Sequence, residues 1–95
     1  MAAQLRMRYE LDDYDAWRTV FDKDPLDRPG SGALGHRLSR DVDNDAAVLV
    51  DLDFGSVEQA QAFRDRLREL WKDPSMPATA RADVWITETT EQTQY

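Results

Sequence analysis

From Leu5 to Leu11 the chain alternates apolar and charged residues one for one: Leu5-Arg6-Met7-Arg8-Tyr9-Glu10-Leu11. A period of two predicts a strand with Leu5, Met7, Tyr9 and Leu11 on a buried face and Arg6, Arg8 and Glu10 on the other. Asp12 and Asp13 then offer N-cap carboxylates, and Tyr14, Trp17, Val20 and Phe21 recur at helical spacing. Asp24-Pro25 ends this helix, because a residue before proline is pushed out of the helical region. Residues 25 to 32, with two prolines and two glycines, form an irregular loop. A second strand follows, in which Leu34, His36 and Leu38 alternate with Gly35, Arg37 and Ser39. After a polar turn at Asp41 to Asp45 comes the most apolar strand, Ala46 to Phe54, with Val48, Val50, Leu52 and Phe54 on one face. Ser56 and Gln59 form a capping box that opens a second helix, whose apolar stripe is Ala60, Phe63, Leu67, Leu70 and Trp71. Lys72 to Ala82 reads as a loop, Asp83 to Thr87 as a last strand, and Glu88 onward as a polar tail.

The order strand, helix, strand, strand, helix, strand predicts an α+β, ferredoxin-like βαββαβ domain. Right-handed crossovers place both helices on one face of a four-stranded antiparallel sheet, with strands one and three in the centre. The 95 residues suffice for one domain, with its globule over about residues 4–88 and a polar tail at 89–95. The sheet face away from the helices then carries Arg6, Arg8, Glu10, Asp51 and Asp53, together with Leu49 and Trp85. In a monomer that face is solvated. In a dimer it meets a second sheet, with Arg8 and Asp51 as a candidate cross-strand pair and Leu49 and Trp85 as apolar contacts.

Charge narrows the partners. Twelve Lys and Arg stand against 19 Asp and Glu, a net −7, and the arginines are scattered among acids. Such a chain repels phosphate backbones and anionic lipid, so nucleic acid and membrane surfaces are not expected partners. No apolar run is long enough to span a bilayer, and the start, Met1-Ala2-Ala3-Gln4-Leu5-Arg6, has no signal-peptide character. The absence of cysteine removes disulfides and thiolate chemistry and fits a cytoplasmic setting.

Particular residues add a likeness. Asp13-Tyr14-Asp15-Ala16-Trp17 with Val20-Phe21, then Gly35-His36-Arg37, then Val48-Leu49-Val50-Asp51-Leu52-Asp53-Phe54 before a helix ending Leu70-Trp71, resemble the dimeric α/β-barrel superfamily. The chain is most similar to small bacterial proteins grouped with antibiotic-biosynthesis-monooxygenase-like domains, over roughly residues 5–88. The resemblance implies a homodimer and a ligand pocket between sheet and helices. The superfamily includes cofactor-independent monooxygenases, aromatic polyketide cyclases, haem-degrading oxygenases and lactone isomerases. The haem-degrading members use a histidine on the second helix with a partner tryptophan and asparagine, and the second helix here has no histidine and no asparagine. No cofactor is therefore expected. The implied function is cofactor-independent oxygenation or cyclisation of a small aromatic, polyketide-like substrate; the alternative is a non-enzymatic ligand-binding or accessory role.

His36, the one histidine, has helix-facing parity and is the candidate catalytic residue for moving a proton near neutral pH. The plainer alternative is an edge-strand histidine bonded to a nearby acceptor. Tyr9, Tyr14, Trp17, Phe63 and Trp71 are the candidate substrate-binding residues. Aromatic walls suit a planar ligand, although a stripe at helical spacing is also what an ordinary core requires. No metal site is expected. Asp41 to Asp45 imitates the start of a calcium loop, but Ala46 replaces the required glycine and Leu52 stands where the bidentate glutamate belongs. The loop at Pro29 to Gly35 leads into a strand rather than a helix, so it is no phosphate cradle.

Overall fold

The computed structural model describes residues 2–74, 76 and 79–95, with only the backbone course at 79–81. Six elements follow in order: β1 (Ala3–Leu11), α1 (Tyr14–Lys23), β2 (Ala33–Asp41), β3 (Asn44–Phe54), α2 (Val57–Leu70) and β4 (Thr79–Glu88). The strands form one antiparallel sheet in the order β2-β3-β1-β4, which puts strands one and three in the middle as expected.

β1 organises the sheet. Its burial alternates without a break, and it pairs along both edges. Leu5 lies opposite Leu52 and Ile86, Met7 opposite Val50 and Val84, Tyr9 opposite Val48 and Ala82. Directly paired residues share a face, so three strands send their apolar side chains to one side. There they meet Trp17 of α1 and Ala60, Phe63 and Leu67 of α2, and both helices cover the same face. The most completely buried large side chains are Phe54, Leu5, Leu52 and Val50, all in the two central strands.

The helix ends follow their local chemistry. Asp13 accepts from the Ala16 N–H at 3.1 Å and so caps α1. Asp24 closes the helix in the left-handed region, φ 52°, with its N–H bonded to Phe21 O. Aspartate tolerates that conformation, and Pro25 prevents the helix from continuing. Ser56 Oγ accepts from the Gln59 N–H at 3.2 Å, which is one half of the expected capping box. The Gln59 amide itself turns toward Gly32, where φ is 97° and a Cβ would lie 2.8 Å from its nitrogen.

Three expectations are corrected. β4 begins at Thr79, inside the stretch expected to be loop. Thr79-Ala80-Arg81-Ala82 has no apolar alternation; its pairing is imposed by the long edge of β1 at Tyr9 to Leu11. Leu34 does not join the helix-facing row. The register shifts between Ala33 and Gly35, and Leu34 is left 76% exposed. On the open face, Asp51 pairs with Arg6 at 3.2 Å rather than with Arg8, because the register sets Arg6 opposite Asp51 and Arg8 opposite Leu49. Arg8 turns instead to Glu10, 2.9 Å away, and Asp41.

The Asp/Asn-rich turn between β2 and β3 has a structural use. Asp41 accepts from the Asp43 N–H and Asn44 from the Ala46 N–H, a local side-chain-to-backbone pattern that builds a tight turn.

Two substitutions separate the cap from the core. Ser56→Ala is expected to lower stability by about 1 kcal/mol, and Leu52→Ala by about 2–5 kcal/mol. Urea denaturation reads both, and equal losses for the two variants would contradict this division.

Candidate functional site

Between the helices and the sheet the packing leaves a cavity of about 180 Å³. Met7, Val50 and Leu52 form its floor, and Tyr9, Trp17, Phe21, Phe63 and Trp71 its aromatic walls. A dry engineered cavity of ~150 Å³ holds a benzene ring, so this space is enough for a small aromatic body. The walls are themselves in ring contact. Trp17 stacks on Phe21 with centroids 5.2 Å apart, and Tyr9 meets Trp17 at 5.3 Å and the edge of Trp71 at 5.8 Å. Such pairs hold one another's orientation and make a preformed flat-sided slot.

Tyr9 brings a hydroxyl into this apolar space. Its O–H donates to Met7 Sδ at 3.4 Å, a weak acceptor. Burial pushes the phenol up to about 12, against a smaller opposing effect of a hydrogen bond with Trp71. Tyr9 therefore serves as a neutral donor across the physiological range, not as a phenolate base.

The mouth of the cavity is polar. Asp24 and Arg28 line it beside Pro25 and Leu26. Asp24 accepts the Arg28 backbone N–H at 2.9 Å and faces its Nε at 3.4 Å, while Arg28 Nη1 donates to Phe21 O at 3.1 Å. The guanidinium lies over the Phe21 ring, 3.8 Å from its centroid. The loop from 24 to 32 is tied down from the far helix. Arg66 of α2 donates to Ser31 Oγ at 2.7 Å and to Leu26 O at 3.1 Å, and Ser31 Oγ donates in turn to Leu26 O. Asp27, at φ 52°, accepts the Gly30 N–H, and a Cβ at Gly30 would run into the Asp27 carboxylate.

Of the residues expected to bind substrate, Tyr9, Trp17, Phe63 and Trp71 line this one cavity. Tyr14 does not. Its ring stands behind Trp17 at 6.0 Å, its hydroxyl accepts from Arg18, and Arg40 lies over its face. It buttresses the wall from outside. His36 also lies outside. It keeps the helix-facing parity, opposite Leu52, but it is exposed, because β2 is an edge strand that the helices leave largely uncovered. It borders an outer depression of about 240 Å³ with Asp24, Arg28 and Leu34. Phe21 stands against the edge of His36, ring centroids 5.3 Å apart. Sequence reasoning missed Asp24 and Arg28. Asp24 reads as the end of the first helix and Arg28 as part of an irregular loop, and the left-handed turn at Asp24 leads the chain back to the mouth. Among the described residues there is no group of three or more His, Asp or Glu placed to hold a metal, and no helix long and apolar enough to cross a membrane.

No protein-family model matches the chain, and no curated protein matches it in sequence. Solved structures do match in fold. SnoaB, a cofactor-independent oxygenase from Streptomyces nogalater, aligns with a TM-score of 0.73 at 15% identity, over 97% of this chain and 95% of its own. Rv0793 from Mycobacterium tuberculosis aligns with a TM-score of 0.72 at 13% identity, over 99% of this chain and 100% of its own. The likeness is one of fold. The architecture is a ferredoxin-like α+β fold with two helices on one face of a four-stranded sheet.

The Tyr9 environment makes a pH prediction. Its pKa is raised on folding, so the folded state holds the proton more tightly than the unfolded chain does. The associated stability is whole below about pH 10 and is lost as pH rises toward about 12. Denaturation series over that window should show a steeper loss for the native protein than for Tyr9→Phe; parallel curves would contradict the burial of this hydroxyl.

Proposed function

We propose that this protein takes a small, flat aromatic molecule into the cavity between helices and sheet and transforms it without a cofactor, by oxygenation or cyclisation. The observation that carries this is the cavity itself: a slot walled by five aromatic rings, with the Tyr9 hydroxyl among its lining residues and polar groups at the mouth. The likeness in fold to SnoaB supports oxygenation as the reaction class. An electron-rich hydroxyaromatic supplies the electrons for its own oxygenation: its phenolic proton leaves through the mouth, one atom of dioxygen stays on the ring as a quinone carbonyl, and the other leaves as water. The contribution asked of the protein is to bind the ring, orient it and exclude water. His36 takes part in proton transfer only if the substrate reaches past Phe21 into the outer depression.

A non-enzymatic binding role is favoured by a different observation. The hydroxyl in the cavity stays protonated, and the carboxylate at its mouth, Asp24, already faces Arg28. Titration of a hydroxyanthrone or a smaller hydroxynaphthalene compound, followed by tryptophan fluorescence, oxygen uptake and product absorbance, separates the two. Quenching of Trp17 and Trp71 with oxygen consumption is the expected result; quenching without turnover supports the binding role. Val20→Phe, which fills the cavity from α1, should abolish both signals at a stability cost of about 1–3 kcal/mol. Absence of binding in the unmodified protein overturns both roles. In His36→Ala, a fall in kcat below ~10-fold is expected, and a fall of ~10² or more would make His36 the general base.

We also infer a homodimer packed through the open sheet face, where Trp85 is 42% exposed beside Arg6, and Leu49 lies next to the Arg6–Asp51 pair. Light scattering should give twice the chain mass, and Trp85→Glu should give the monomer. A monomer for the unmodified chain at micromolar concentration would overturn the assembly.

A further inference from the structure

Arg28 is held on one side by Asp24 and Phe21 and is the cation at the cavity mouth. Its side chain is only 16% exposed. A guanidinium is a planar fork of N–H donors. Here Nε faces Asp24 and Nη1 reaches Phe21 O, and the remaining donors, Nη2 among them, have no protein partner among the described residues. No side-chain polar atom among those residues is sealed in protein without a partner, so these donors open onto space. Arg28 and Asp24 border both the inner cavity and the outer depression, so the guanidinium stands where the two hollows meet. The Phe21 ring under the guanidinium fixes its plane.

Resting on the cavity being the ligand site, we infer that Arg28 is its specificity-determining residue and that its ligands are aromatic carboxylic acids. The ring body occupies the slot between Tyr9, Trp17 and Trp71, and the carboxylate meets the open edge of Arg28 at the mouth. A carboxylate matches that edge with two parallel N–H···O bonds, which a neutral amide or hydroxyl does not. Asp24 does not compete for this edge, because its oxygens are turned to the Arg28 backbone N–H and Nε. Asp27, the next acid along, faces the Gly30 N–H. The net charge of −7 works against anions at long range only, since exposed charges are screened beyond ~8 Å at physiological salt. Contact at a mostly desolvated guanidinium therefore decides the selection.

The test compares 2-naphthoic acid with 2-naphthamide by isothermal titration calorimetry on the full chain. The shapes match and only the charge differs. The acid is expected to bind at least ~10-fold more tightly, the scale of a charge-assisted hydrogen bond. Arg28→Met should erase the preference while leaving the affinity for the amide within ~2-fold. Because Arg28 also ties the loop, circular dichroism checks the variant. If it has lost its fold, Arg28→Lys makes the comparison, keeping the charge without the fork and reducing the preference to a few-fold. Equal binding of acid and amide by the unmodified protein, any preference that survives in Arg28→Met, or an undiminished preference in Arg28→Lys, would overturn the assignment of Arg28 and leave the aromatic cavity standing. Failure of both compounds to bind would overturn the cavity as a ligand site as well.

Discussion

β1 is paired on both edges and buried along one face, and the rest of the molecule depends on that double constraint. A strand in that position sets the register of its two neighbours at once. Leu5, Met7 and Tyr9 each fix an apolar partner on β3 and another on β4. A slip of one residue would turn the whole apolar row to the charged face, so the register is strongly specified. The two helices then have one surface on which to bury their stripes. They cover the centre of the sheet and leave the edge strand β2 largely bare, which is why His36 is exposed although its neighbour Leu38 packs against the core.

The cavity follows from how few large side chains the helices supply. α1 buries one, Trp17, and α2 buries Phe63 and Leu67 with Ala60. Trp17, Phe63 and Trp71 stand against the sheet like posts, and the space between them stays open. Rigid rings in mutual contact resist the collapse that a flexible aliphatic lining would allow. The same burial that preserves the slot keeps the Tyr9 hydroxyl protonated. What the cavity presents to a ligand is flat apolar surface with one hydroxyl, whose proton rests on the weak acceptor Met7 Sδ.

Polarity is confined to the mouth, and there the irregular loop gains its importance. Asp24 in a left-handed turn, Arg28 over Phe21 and Arg66 reaching across from α2 make the segment after α1 an anchored structure rather than a slack connector. Its hydrogen bonds run to backbone carbonyls and short side chains on both sides of the loop. That anchoring holds the mouth groups in fixed positions relative to the aromatic walls.

Much of this was legible in the residues. Period-two alternation in β1 and β3, the Asp13 and Ser56 caps and the stop at Asp24-Pro25 are local signals, because they depend on side-chain direction and on hydrogen bonds within a few residues. They determined the element order, the central strands and the apolar row that includes Tyr9, and they marked Trp17, Phe63 and Trp71 as helix-stripe aromatics. The early start of β4, the Arg6–Asp51 pairing, the outward place of Tyr14 and the separation of His36 from the cavity were decided only in the folded protein. Each depends on inter-strand register or on how far a helix reaches over an edge strand, and both are set by contacts between residues far apart in the chain. Arg28 is the sharpest case. Nothing in its neighbours along the chain distinguishes it from a solvated loop arginine, and its place at the mouth exists only because α1, its turn and α2 meet over the same face of the sheet.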